Sequence, residues 1–204
     1  MTAHALQIPP GRAGLPVLRG EATYATSACL GAASPRCSNS TLAPSSSAPP
    51  QRHTNLELLV HYGFVMAHNP HDTAILPSHL LPPPVLERLR AAGEAPAVHA
   101  DGSPSWELLR ALRLAGASPP ERRAKAYLAL QDERISAASE LWAVRTLRRA
   151  CAAAAAALPT TLEEDEALLA GTALSACERV AVEWRAIYKR TLLKGAEWAD
   201  LAAE

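Results

Sequence analysis

"TNLELLVHYGFVMAHNPHDTAIL", residues 54–76, decides how the chain is read, because it joins a helix start, a glycine stop, a turn and a short strand in one run. Thr54 or Asn55 can cap a helix, and Leu56, Leu59 and Val60 would share its apolar face. Gly63 can end that helix in a left-handed conformation. Asn69-Pro70 is turn chemistry, and "TAIL" (73–76) reads as an extended run stopped by Pro77.

Downstream the texture is helical. Pro82, Pro83 and Pro84 lead into "VLERLRAAG" (85–93), with proline at its start and glycine at its end. "PAVHADGSPSW" (96–106) reads as a strand, an Asp101-Gly102 turn and a new cap at Ser103. Helices are then expected at "WELLRALRLAG", at about 120–131, 134–158 and 160–171, and at about 174–202. In the last of these, Val180, Trp184, Ile187 and Tyr188, continued by Leu192, would form the core-facing stripe. The fold expected is mainly α, a multi-helix bundle preceded by a short helix-turn-strand segment.

Upstream the chain is different. Residues 1–53 are dominated by Pro, Ser, Ala and Gly, and "SNSTLAPSSSAPP" (38–50) buries too little apolar surface to offset its ordering entropy. The expected organisation is a low-complexity, disordered leader at 1–53, the helix-turn-strand segment at 54–78 and a helical domain at 79–204. The leader has no acid in its first twenty residues and carries Arg12 and Arg19, a faint transit-peptide texture that Pro9, Pro10 and Pro16 interrupt.

Composition narrows the function classes. The chain is 49% apolar with 20 basic and 20 acidic residues, so no whole-molecule field points to nucleic acid or an anionic membrane. No apolar run reaches the length of a bilayer span. Cys29, Cys37, Cys151 and Cys177 lack CxxC spacing, which favours a reducing compartment, cytoplasm or chloroplast, over a disulfide or zinc scaffold.

The opening stretch resembles the end of the SET domain in Rubisco large-subunit lysine methyltransferase and its relatives. The resemblance is carried by Thr54-Asn55, Glu57-Leu58-Leu59, Tyr62-Gly63-Phe64 and Asn69-Pro70 with Asp72. "DGSPSWELLRALRL" (101–114), "LPTTLEEDEALLAG" (158–171) and "ERVAVEWRAIYKRTLL" (178–193) are similar to the helical substrate-binding domain of the same family, in the same order. The resemblance implies S-adenosyl-L-methionine as methyl donor, a protein carrying a target lysine as partner, and Tyr62, Gly63 and Phe64 as cofactor-lining residues.

The same resemblance marks a departure. The family's catalytic tyrosine would fall on Pro50, and no Asn-His motif precedes Thr54. No catalytic residue is therefore assigned, and the chain is expected to be a catalytically incomplete substrate-binding module. A fragment of an active methyltransferase and a helical interaction scaffold are the alternatives. S-adenosylmethionine is not expected to bind this chain alone.

Plainer readings stand beside these. Tyr62 and Phe64 could pack between their helix and the bundle while Gly63 only turns the chain. His61, His68, His71 and His79 read as solvated loop residues, and no metal site is assigned. Glu163, Glu164, Asp165 and Glu166 read as a helix-start acidic cluster, and Arg145, Arg148, Arg149, Arg179, Arg185, Lys189 and Arg190 as solvated helix faces. Trp106, Trp142, Trp184 and Trp198 are expected in or beside the core, and Cys151 and Cys177 as buried thiols.

Overall fold

A computed structural model describes residues 53–202; the leader expected at 1–53 otherwise lies outside the described residues. Helix α1 (Asn55–Tyr62) opens on Thr54, whose hydroxyl accepts the Glu57 backbone N–H while the Glu57 carboxylate accepts from the Thr54 N–H. Gly63 closes it at φ 74°, where a residue without Cβ is unstrained.

Strand β1 (Thr73–Ile75) pairs antiparallel with β2 (Ala97–His99), with Ala74 opposite Val98. Between them run a 3-10 turn (Ser78–Leu80) and α2 (Pro83–Ala92), which starts on prolines and stops at left-handed Gly93. The two-stranded sheet thus joins the helix-turn-strand segment to the helical one.

The remaining helices are α3 (Trp106–Gly116), α4 (Pro119–Leu130), α5 (Ala137–Ala156), α6 (Leu162–Ala170) and α7 (Ala176–Leu201). Helix α5 lies between α3 and α7, α2 packs on α3, and α6 packs on α7. The core gathers Leu76, Val85, Leu89, Val98, Leu108, Leu112, Val144, Leu147 and Leu192. Each such side chain contributes about 1.5–3 kcal/mol by leaving water. A smaller cluster of Ala117, Ala129 and Ile135 seats α4 against α3.

The helix α5–α7 contact depends on a missing side chain. A Cβ on Gly195 would sit 3.0 Å from Cys151 Sγ and 3.1 Å from Val98 Cγ1, so glycine lets α7 close on both α5 and β2.

Several expectations change. On α1 the inward apolar residue is Leu58, while Val60 is exposed, because the clasp described below rotates the Asn55–Leu58 face toward the body. The cap of α3 is Ser105; Ser103 instead hydrogen-bonds Asp101 within the turn. The buried stripe of α7 is Val182, Ala186, Lys189, Leu192, Gly195 and Ala199. Close approach of α5 selects small residues there and leaves Trp184 and Tyr188 stacked at its border, 5.5 Å apart. Cys151 is buried as expected, but Cys177 is exposed in the first turn of α7. Trp106 is exposed too, with the Arg110 guanidinium 4.5 Å from its ring centroid.

Candidate functional site

The motif polar residues of 54–72 form a buried clasp. Asn55 Nδ2 donates to Asp72 Oδ2 at 2.8 Å and to the Met66 carbonyl at 3.0 Å, and Asn55 Oδ1 accepts the Met66 N–H at 2.9 Å. The Asn55 backbone N–H donates to Asp72 Oδ1 at 2.8 Å. Asn69 Nδ2 donates to the His53 carbonyl, and Asn69 Oδ1 accepts from the His71 N–H. These residue types are required because a buried amide or carboxylate must use its full bonding capacity, and each bond here ties the loop back to the start of α1.

The clasp and left-handed Gly63 turn residues 60–66 outward. Val60 is 67% exposed, Tyr62 60%, Phe64 45% and Met66 46%. Packing of Tyr62 and Phe64 between α1 and the bundle is therefore overturned; both rings are exposed. Tyr62 and Phe64 ring centroids lie 6.3 Å apart, and His53 approaches Tyr62 at 5.8 Å. Together they make one open aromatic wall on a rigid support. Contiguous exposed apolar surface of this kind marks an interaction or ligand-binding face.

On the helical side, Asp165 of α6 is fully buried between two bases of α7. Arg185 Nε donates to both carboxylate oxygens at 3.0 Å, and its Nη2 also reaches Oδ1. Lys189, itself buried, donates to Asp165 Oδ2 at 2.6 Å, to Thr160 Oγ1 at 2.9 Å and to the Thr161 carbonyl at 2.9 Å, using all its protons. Burial alone would raise the Asp165 pKa. Hydrogen bonds from Arg185, Lys189 and Thr160 outweigh that and hold it at about 2.

Of the charged residues expected on solvated faces, those of α7 are instead paired with α6, while Arg145, Arg148 and Arg149 of α5 are exposed as expected. Arg190 meets Glu166 at 2.8 Å, and Arg179 donates to the carbonyls of Leu169 and Gly171 that α6 leaves open at its end. Pairing distance, invisible in one dimension, is what the helix-face reading lacked. Arg113 plays a similar part elsewhere, gripping Glu140 and Asp132 and so locking α3 to α5 and its preceding loop.

Two clefts flank these features. One of about 380 Å³ lies between the loop at Ala67–Pro70 and α7, with Asp72 and Lys194 on its walls. Another of about 320 Å³ opens beside Lys189, Leu158 and Leu162. His61, His68, His71 and His79 are exposed, and among the described residues no three metal-ligating side chains converge.

Comparison with known proteins places this geometry. The chain is 31% identical over 121 residues to Protein SET DOMAIN GROUP 40 of Arabidopsis thaliana, a match covering 57% of this chain and 24% of that protein. It is similar in fold to the SET domain of LSMT bound to methyllysine and AdoHcy. That likeness has a TM-score of 0.53 at 21% identity, over 75% of this chain and 39% of that one. It is similar also to Rubisco LSMT bound to sinefungin and monomethyllysine. There the TM-score is 0.52 at 22% identity, over 74% and 39% of the two chains. The chain thus spans about a quarter of the curated relative's length and about two fifths of the solved ones. Residues 74–192 match the Rubisco LSMT substrate-binding family, and with more than half its length inside that match, the chain belongs to this substrate-binding domain family of SET-type methyltransferases.

Proposed function

We propose that the described residues grip a lysine-bearing protein for methyl transfer from S-adenosylmethionine, and that they do not perform the transfer by themselves. The observation that supports this reading is the outward aromatic wall, tied by the Asn55–Asp72 bonds and the two-stranded sheet to the family's substrate-binding lobe. Tyr62, Gly63 and Phe64 supply one side of a cofactor face, and the helical lobe supplies the protein grip.

The chemistry explains the division of labour. A lysine ammonium must lose a proton and its nitrogen must attack the methyl carbon in line with the departing sulfur. That demands a narrow, water-free channel enclosing both reactants. A single exposed wall orients but does not enclose. Pro50, at the position of the family's catalytic tyrosine, has no hydroxyl to place beside the methyl group. Four cysteines with neither CxxC spacing nor the density of a disulfide scaffold support a reducing compartment, cytoplasm or chloroplast.

The test compares the chain alone with a fusion in which the SET domain of LSMT precedes Thr54. With labelled S-adenosylmethionine and a protein extract, the chain alone transfers no label and the fusion labels protein lysine. Lysine methylation by the chain alone overturns the incompleteness. A fusion that methylates free lysine but no protein overturns the gripping role. Tyr62→Ser with Phe64→Ser lowers the fusion's affinity for S-adenosylhomocysteine about tenfold, while changing stability by less than about 0.5 kcal/mol.

A further inference from the structure

The outer face of α5 is basic and only partly neutralised. Helix α5 contains one acid, Glu140, and that residue is buried against Arg113. Of its three arginines, Arg148 meets Asp200 at 2.9 Å. Among the described residues Arg145 and Arg149 have no carboxylate partner. Both are exposed, four residues and so one helical turn apart, about 6 Å along the axis.

Beside them lies an apolar step. Leu141 is exposed, and Trp142 is half-buried, packed close on Gly116 of α3, where a Cβ would stand 2.8 Å from the Trp142 ring. Ala138, Leu141, Trp142, Arg145, Thr146 and Arg149 border a cleft of about 410 Å³. Trp and Arg together around a desolvating apolar residue are the composition that concentrates binding energy at protein interfaces.

We infer that this face docks an acidic helix of a partner protein, one with two carboxylates a turn apart and an apolar residue beside them. The partner's carboxylates meet Arg145 and Arg149 in fork geometry, and its apolar residue enters the step at Leu141 and Trp142. Two free guanidiniums beside a neutralised third make no continuous track for a phosphate backbone. A face otherwise built of alanines lacks the apolar area to lie in a lipid surface. The inference rests on the substrate-gripping reading and adds the charge and shape of what is gripped.

The experiment uses the full chain and a fluorescent peptide with glutamates at i and i+4 and a neighbouring leucine, read by anisotropy across a salt series. The acidic peptide is expected to bind with salt-dependent affinity, and Arg145→Glu with Arg149→Glu to weaken it at least about tenfold while leaving circular dichroism unchanged. A lysine-for-glutamate peptide is expected to ignore the native chain and bind the double variant. Equal binding of both peptides to the native chain overturns the inference. So does tighter, Arg145- and Arg149-dependent binding of single-stranded DNA or anionic vesicles. A chain that binds no acidic peptide, yet still directs the SET fusion to protein lysine, overturns this face and leaves the substrate-gripping reading intact.

Discussion

Asp165 shows how one carboxylate can decide the stability of a join. Its two basic partners sit one turn apart on α7, and Lys189 is as deeply enclosed as the acid. Asp165→Ala leaves Lys189 charged and unpaired, at an expected cost of about 3–5 kcal/mol in chemical denaturation, whereas Asp165→Leu with Lys189→Met recovers most of it. The carboxyl titrates lower in the folded chain than in the unfolded one, so its contribution is complete above pH 3.8 and is lost as pH falls toward about 2. Over that window the native chain loses about 2 kcal/mol that the leucine–methionine variant keeps. The cysteines offer a second measurement at this scale. Burial pushes the Cys151 thiol up to about 12, while Cys177 stands in water. Under native alkylation, peptide mapping is expected to find Cys177 modified and Cys151 intact until denaturant is added.

At the scale of elements, the helix starts and stops were largely legible in one dimension because they are local. Thr54, Ser118, Thr161 and Ser175 each pair with a glutamate three residues on, and Gly63 and Gly93 stand at left-handed stops. What was not legible depended on partners distant in sequence: the burial of Asp165 and Lys189, the outward turn of Tyr62 and Phe64, and the small-residue stripe of α7. Glycines separate the two kinds of information. Gly63→Ala meets no neighbour, so only the backbone resists it, at about 1 kcal/mol. Gly102 has φ 93°, and a Cβ there would stand 2.5 Å from the Lys194 carbonyl oxygen. Gly102→Ala is therefore expected to cost about 3 kcal/mol and to loosen the β2 turn from α7, seen as a larger fall in melting temperature than for Gly63→Ala.

For the molecule as a whole, the clasp, the sheet and the Asp165 join divide labour: the first aims the aromatic wall, the second links it to the helices, and the third keeps α6 on α7. Tyr188 adds a stitch, its hydroxyl donating to the Ile75 carbonyl at 2.7 Å. The candidate site was legible as a family pattern in 54–72, but its orientation followed from the Asn55–Asp72 bonds, which no spacing rule announces. The repeated serine or threonine and glutamate pairs also make the chain collectively acid-sensitive. Hydrogen bonds with Thr54, Ser118 and Ser175 hold Glu57, Glu121 and Glu178 below the ordinary carboxylate range. Protonation removes their anionic acceptors from these three helix entrances as the medium is acidified. Deuterium uptake is expected to rise in the first turns of α1, α4 and α7, while the Asp165 join, its carboxylate ionised down to about pH 2, still holds the body of α6 against α7.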